Sequence, residues 1–154
     1  MTAFLISLLL LTACGQSAPE TAADNCLMNE EKERLKTEMN LDRRIRIFEA
    51  GSRRCESSVV NFIVRGEFQY CPGALRAWRS LLEQSLQDIQ SRPGRKDKSR
   101  ALIRFEIQIR RAIAAVRDSR VRVPVELLQE IDDWLGRAEE IRKDLVKILF
   151  PGSA

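Results

Sequence analysis

"LLQEIDDWLGRAEEIRKDLVKI", residues 127–148, carries the clearest helical pattern in the chain. Its apolar residues recur every three or four positions, while charged residues occupy the opposite face. Pro124 can open this helix, and Pro151 with Gly152 can end it. An apolar stripe of this kind is buried against other helices, so the stretch predicts a helical bundle. The stripe consists of Leu127, Ile131, Trp134, Ala138, Ile141, Leu145 and Ile148.

The same spacing predicts helices through most of the preceding chain. A first helix begins at the candidate N-cap Asn29 and can end at Gly51, because glycine often follows the last helical residue. A second covers residues 52–65, and a third begins near Pro72 and extends to residue 91. The connector "SRPGRKDKS" then separates the third helix from a fourth segment.

The fourth segment permits two interpretations. Residues 103–109 alternate apolar and polar side chains, as in a half-buried strand. A helical stripe through Leu102, Phe105, Ile109, Ile113 and Val116 also fits and extends further. The alanines that follow favour the helix. The sequence therefore predicts an all-α protein, with an antiparallel bundle of four or five helices over residues 29–150.

Composition excludes several kinds of chemistry. The chain has 154 residues, the size of one domain, and no histidine. Without histidine, Ser-His-Asp and Cys-His triads are impossible, and the commonest metal ligand is missing. We find no phosphate-binding loop, and the adjacent acids Asp132-Asp133 and Glu139-Glu140 do not share a helix face. The sequence therefore predicts no catalytic residue, no metal site and no cofactor, and we expect a protein that is not an enzyme.

The first residues read as a leader rather than as part of the bundle. Residues 3–11 form an apolar run that is too short to span a bilayer, which takes about 20 residues. Small residues follow, as at the cleavage site of a secretory signal. The order Leu11-Thr12-Ala13-Cys14 resembles the lipobox of bacterial lipoproteins.

This resemblance implies a signal peptide over residues 1–13 and cleavage before Cys14. It further implies a diacylglyceryl group on the Cys14 sulfur and a third acyl chain, such as palmitate, on the new amino terminus. In the sorting rule of enteric bacteria, Gly15 after the cysteine implies delivery to the outer membrane, facing the periplasm. Residues 14–28 would then be the lipidated cysteine and a flexible linker, rich in small and polar side chains.

In an oxidising envelope compartment, the three remaining cysteines are expected to form one disulfide. If the chain reverses at Gly51, Cys71 returns to the neighbourhood of Cys26, which favours a Cys26–Cys71 bond. The alternative is Cys55–Cys71, the nearest pair in sequence after the leader. The thiol left over in the first case, Cys55, lies on an apolar stripe and is expected to be buried.

Positive charge is concentrated in one part of the chain. Residues 92–122 contain eleven Lys or Arg and three Asp or Glu, a net charge of +8 in a chain of net charge +4. This segment could pair with the acidic last helix, contact anionic lipid headgroups, or bind an acidic protein partner. Nucleic acid is not expected as a partner. The candidate basic surface consists of Arg92, Arg95, Lys96, Lys98, Arg100, Arg104, Arg110 and Arg111.

These observations predict a non-catalytic, lipid-anchored envelope protein whose bundle binds another envelope protein. In outline, a small helical lipoprotein is similar to the pilotins, which escort secretin subunits to the outer membrane. The alternative is a protective lipoprotein: an immunity protein, an exclusion protein or an inhibitor of a hydrolase. Trp78 and Trp134 lie on apolar stripes, where they either pack in the core or anchor a partner helix.

Overall fold

The computed structural model describes residues 26–152, and this range contains five α-helices and no strand. A short 3₁₀ turn precedes the third helix, and another follows the fourth; these are Phe68–Tyr70 and Arg120–Arg122. The helices are α1 (Asn29–Thr37), α2 (Leu41–Arg65), α3 (Cys71–Ser91), α4 (Arg100–Ser119) and α5 (Val125–Leu149). The predicted all-α bundle is confirmed.

Four long helices form a square bundle in which α2 and α5 lie at opposite corners. Each of these two packs against both α3 and α4. Consecutive long helices run in opposite directions, because the links 66–70 and 120–124 are short. The link between α3 and α4 crosses the end of the bundle diagonally. As a result α2 and α4 lie side by side and parallel: Asp42 meets Ser99 near their starts (2.8 Å), and Glu56 meets Gln108 further along (3.0 Å).

The helix ends follow local signals. The Asn40 side chain accepts a hydrogen bond from the Arg43 amide (3.0 Å) and begins α2, and the Ser99 hydroxyl does the same for Leu102 at the start of α4 (3.0 Å). Gly66 ends α2 in the left-handed conformation, with φ of 71°. Residues 103–109 are helical, so the helical interpretation of this segment is confirmed.

The two tryptophans meet at the centre of the bundle. The Trp78 and Trp134 ring centroids are 4.2 Å apart, and both side chains are buried. The Trp78 Nε1–H group donates to the buried Ser52 hydroxyl (2.8 Å). Both rings therefore belong to the core, and neither is available as an anchor for a partner.

The predicted end of the first helix at Gly51 is wrong. Helix α2 continues through Gly51, and the chain instead reverses at residues 38–40. Glycine is needed at position 51 because the N-terminal segment crosses α2 there. A Cβ atom would lie 3.0 Å from the Cys26 carbonyl oxygen and 2.9 Å from Leu27 Cδ2.

The early reversal also makes both predicted disulfide pairings wrong. Helix α1 runs back along the first half of α2, so that Cys26 reaches the level of Cys55. Their Cα atoms are 5.4 Å apart, and the disulfide joins these two residues. Cys71 is the free, buried cysteine among the described residues. The Cys26–Cys71 prediction failed because it placed the reversal at Gly51, about 15 Å along the helix from Leu41. The Cys55–Cys71 alternative relied only on closeness in sequence.

The N-terminal segment is part of the folded body from the first described residue. Cys26 and Leu27 are buried, although the predicted linker extended to residue 28. Glu31 accepts a hydrogen bond from the Met28 amide (3.0 Å), and it pairs with Arg54 of α2. Arg54 also donates to the Cys26 carbonyl (3.1 Å). Residues 26–28 are therefore packed against the bundle.

A buried arginine fixes the other end of α1. Arg44 of α2 makes a two-pronged ion pair with Asp88 of α3, at 2.8 and 2.5 Å. It also donates to the carbonyl oxygens of Leu35 and, at 2.9 Å, Glu38, where α1 ends. This one side chain therefore joins three helices and the turn between the first two.

Candidate functional site

A polar cleft opens between the parallel helices α2 and α4. Its volume is about 340 Å³. On α2, Glu49, Arg53 and Glu56 recur at spacings of four and three and so share one face. On α4, Arg104, Gln108 and Arg111 also recur at spacings of four and three, so they share one face of that helix. Ile107 completes the lining, which is otherwise charged or polar.

Glu49 lies at the floor of the cleft, between two arginines. Its side chain is only 10% exposed, and its carboxylate is 2.8 Å from Arg53 Nη2 and 3.6 Å from Arg104 Nη2. The desolvated carboxylate is thereby compensated by opposite charge. Glu49 therefore draws an arginine from each helix towards the cleft.

Gln108 is the unusual residue of this site. It is 4% exposed, and its Nε2 donates to Glu56 Oε2 at 3.0 Å. A carboxylate can only accept, so this bond fixes which end of the amide faces Glu56. The other end, the carbonyl oxygen Oε1, is buried with no hydrogen-bond partner in the structure. Leaving a buried acceptor unpaired costs about 1–3 kcal/mol.

Arg111 supplies an uncompensated charge at the rim. It is exposed, and no ion pair to it occurs within residues 26–152. Three arginines and two glutamates line the cleft, which leaves it a net charge of +1. The site therefore offers one cation at its rim that has no ion-pair partner among the described residues, whereas the unpaired Gln108 carbonyl oxygen is buried.

The predicted basic surface does not form one patch. Arg104 and Arg111 line the cleft, whereas Arg110 projects from another part of α4. Five other members lie on the link 92–99 or at the start of α4. Two of these have intramolecular partners: Arg92 pairs with Asp88 (3.5 Å) and Arg95 with Asp97 (2.9 Å). The remaining three, which make no ion pair with any residue that the structure describes, are Lys96, Lys98 and Arg100.

Part of the charge is neutralised between neighbouring helices. Arg117 pairs with Glu139 (3.1 Å), and Arg120 binds Asp132 through two hydrogen bonds of 2.8 and 2.7 Å. The second contact lowers the pKa of Asp132 and raises the pKa of Arg120. Two residues of the basic segment, Arg117 and Arg120, therefore pair with the acidic helix α5.

The cysteines have different environments. Cys14 and the rest of the lipobox lie outside the described residues. Cys26 and Cys55 are both buried and are joined to each other. Burial raises the pKa of the Cys71 thiol, which therefore stays protonated at neutral pH. No cluster of three or more potential metal ligands is found in the described part of the chain.

The sequence contained a signal for the cleft that the helical pattern concealed. Gln108 lies in α4 between Ile107 and Ile109, at a position that becomes buried. A buried glutamine needs hydrogen-bond partners, so it indicates polar side chains on a facing helix. Glu49 and Glu56 could be connected to it only once the parallel packing of α2 and α4 was known.

Comparisons with protein-family models, curated proteins and solved structures give no match to this chain. Across residues 26–152, no helix is both long enough and apolar enough to cross a membrane.

Proposed function

We propose that this chain is a non-catalytic lipoprotein of the bacterial envelope, anchored through Cys14. Its helical bundle would bind another envelope protein, as an adaptor or in a pilotin-like assembly role. Signal cleavage after residue 13, acylation at Cys14 and an outer-membrane location facing the periplasm are parts of this proposal. The lipobox-like leader is its starting point.

The observation that carries the proposal is the disulfide between Cys26 and Cys55. Disulfides persist in oxidising compartments such as the bacterial periplasm and are rare in the cytosol. The bond supports export independently of the leader, because it follows from where α1 folds and not from residues 1–25. Eleven residues separate Cys14 from Cys26, which as a random coil would reach about 20 Å.

The geometry of α2 favours a tethered body with an accessible cleft. The N-terminal segment crosses α2 at Gly51, whereas Glu49 faces the cleft. These positions are two residues apart, about 200° around a helix. The chain therefore enters the body on the side of α2 opposite the cleft, and a lipid anchor would leave the cleft open to a partner.

Intact-mass analysis of the membrane fraction tests the anchor. The proposal predicts loss of residues 1–13 and a mass increase that matches acyl groups on Cys14. A Cys14→Ala substitution should release the body from the membrane, while Arg110→Ala, a control on the exposed surface, should not. Finding the full chain unmodified in the cytosol, with Met1 intact, would contradict the proposal.

Lys96, Lys98 and Arg100, which make no ion pair with a described residue, favour a second candidate, a protective lipoprotein that binds an acidic foreign protein. Cross-linking in intact cells separates the two functions. Recovery of an envelope-assembly component of the same cell would support the adaptor. Recovery of an incoming toxin or hydrolase would support the protective role.

A further inference from the structure

We infer that the side of the molecule formed by α1 and α3 rests on an anionic lipid surface when the chain is anchored. Exposed cations and two exposed methionines on this side contact the headgroup region. The inference rests on the proposed lipid anchor, which brings this side next to the bilayer. It goes beyond the anchor, because it assigns the folded body a membrane contact of its own.

A groove runs between α1 and α3 and consists of two adjoining cavities of about 360 and 390 Å³. The two cavities share Leu27, Lys32 and Gln84 as lining residues. Every charged residue that lines the groove is basic, and no carboxylate of the described chain does so. The exposed cations at its rim are Lys32, Lys36 and Arg76. The groove therefore presents positive charge to an anion without an acidic group in its lining.

One of these cations has an acidic neighbour outside the groove. Lys36 Nζ lies 2.6 Å from Glu33 on the same helix, and the two side chains are 67% and 69% exposed. An exposed pair of this kind is weak and is screened by salt, so a lipid phosphate can take the place of Glu33. Arg44 also lines the groove, but it is buried in its ion pair with Asp88 and is not part of the contact surface.

Exposed methionines flank the same helix. Met28 precedes α1 and is 54% exposed, and Met39 follows it and is 80% exposed. Met28, Lys32 and Lys36 recur every four residues, so they share one face. The methionine side chains can enter the boundary between headgroups and acyl chains while the lysines pair with phosphates. Basic residues between apolar ones are typical of a segment that lies on a membrane surface.

The position of the groove decides between a lipid and a protein as its occupant. Cys26, where the chain enters the described part of the body, lines the groove. Eleven residues separate Cys14 from Cys26, so a tether with a reach of about 20 Å keeps this side near the headgroups. An acidic protein segment would have to enter between the body and the bilayer. Position and charge therefore both favour an anionic lipid surface.

Vesicle co-sedimentation with the full chain carrying Cys14→Ala tests the inference, because binding then depends on the body and not on acyl chains. The vesicles are phosphatidylcholine, with or without an equal share of phosphatidylglycerol, at physiological ionic strength. Each Lys or Arg near an anionic surface strengthens binding about fivefold, so three rim cations predict about 100-fold tighter binding to the anionic vesicles. Equal affinity for the two kinds of vesicle would overturn the inference.

A matched pair of arginine variants separates the groove from overall charge. Arg76→Gln should weaken binding to the anionic vesicles about fivefold. Arg110→Gln should change it less than about twofold, because Arg110 is exposed on α4, away from the groove, and salt screens its charge. Equal losses would mean that the vesicles attract net charge, which would contradict the inference. Binding of soluble polyglutamate that depends on Arg76, without a preference for anionic vesicles, would assign the groove to an acidic protein segment instead.

Tryptophan reporters test how the body lies on the vesicle. Trp78 and Trp134 are buried, so a new exposed tryptophan can be followed through its quenching by brominated lipid. Met39→Trp should be quenched on anionic vesicles. Val121→Trp should not be, since Val121 is 88% exposed at the opposite end of the bundle. Equal quenching of the two reporters would mean that the body has no preferred orientation and would overturn the inference.

The lipid contact and the anchor can fail separately. Salt screens the contact of the body with the bilayer, so a salt-washed membrane fraction should lose the Cys14→Ala chain whether or not the groove binds lipid. Acylated Cys14 in a chain whose body shows no preference for anionic vesicles would overturn the surface contact and leave the anchor intact. Unmodified Cys14 would overturn the anchor, whatever the vesicles show.

Discussion

Gly51 has room for a hydrogen atom only, on the side where the N-terminal segment crosses α2. In Gly51→Ala the new methyl group would meet Leu27 Cδ2 at 2.9 Å, the Cys26 carbonyl at 3.0 Å and Leu81 Cδ2 at 3.2 Å. The carbonyl cannot easily withdraw, because the disulfide holds Cys26 to α2. We expect the free energy of unfolding to fall by about 1–3 kcal/mol, measured by urea denaturation.

Gly136 provides the matched control for this substitution. It also lies inside a long helix, but a Cβ atom there would have no neighbour within 4 Å. Gly136→Ala should therefore stabilise the protein by about 0.5–1 kcal/mol, through helix propensity alone. If both substitutions changed stability in the same direction, close packing at Gly51 would not be the reason for its glycine.

Cys71 is expected to be chemically silent in the folded protein. Burial raises the pKa of its thiol, so the reactive thiolate is scarce at pH 8. Ellman's reagent should detect no fast-reacting thiol in the native protein. After unfolding in guanidinium without reductant, it should detect one thiol per acylated chain. Two thiols after unfolding would indicate that Cys14 is unmodified, and three would indicate that the disulfide is absent from an acylated chain.

Among the helical elements, α1 is too short to be stable alone and depends on its contacts. Arg44→Ala would leave Asp88 without its closest partner and would free the carbonyl groups at the end of α1. We expect a loss of about 3 kcal/mol in the free energy of unfolding, at the low end for a buried pair, because Arg92 lies 3.5 Å from Asp88.

The neighbouring arginine is the control for Arg44. The Arg43 side chain is 67% exposed and makes only a 3.7 Å contact with Glu38. Arg43→Ala should change stability by less than about 0.5 kcal/mol. Faster proteolysis within α1 in the Arg44 variant, but not in the Arg43 variant, would locate the loss at this junction.

Periodicity was sufficient to predict most helices, because each buries one apolar stripe. The stripe of α5 is buried as predicted from Leu127 to Leu145, and residues 103–109 follow the helical stripe despite their alternation. The position of the first reversal could not be read in this way. A glycine at a helix end and a glycine beneath a crossing segment look alike in sequence, so Gly51 was misassigned and the cysteine pairing failed with it.

The sequence predicted some residues of the cleft but not that they lie together. Arg104 and Arg111 were included in the candidate basic surface, but the sequence did not indicate that they share a cleft with Glu49 and Glu56. That requires α2 and α4 to run parallel, which follows from the diagonal link between α3 and α4. Which helices become neighbours is decided by the packing of the whole bundle, and local patterns do not contain it.

For the molecule as a whole, acid is expected to destabilise the fold. The pKa values of three carboxyl groups are lowered: Glu38 by a hydrogen bond from the Asn40 amide, Asp97 by Arg95 and Asp132 by Arg120. The unfolded chain therefore takes up protons at a higher pH than the folded one. Stability should be constant above the ordinary carboxyl pKa, about pH 4, and should fall as the pH drops further.

Urea denaturation at pH 6 and pH 3 measures this effect. Asp132→Asn should reduce the difference between the two midpoints, because its carboxylate no longer titrates. Asp133→Asn is the control, since the hydrogen-bond partner of Asp133 is Gln129 and not an arginine. If the midpoints at pH 6 and pH 3 differed as much in the Asp132 variant as in the unsubstituted chain, Asp132 would not contribute to the loss of stability in acid.

The bridge between Cys26 and Cys55 also determines how the body would respond to mechanical force. Tension applied on the N-terminal side of Cys26 passes through the disulfide directly to Cys55, which lies inside α2. Helix α1 lies beyond that junction along the chain, so it bears no load and cannot be peeled away first. A domain held by its N-terminal end would therefore stay folded under force until α2 itself separated from α3 and α4.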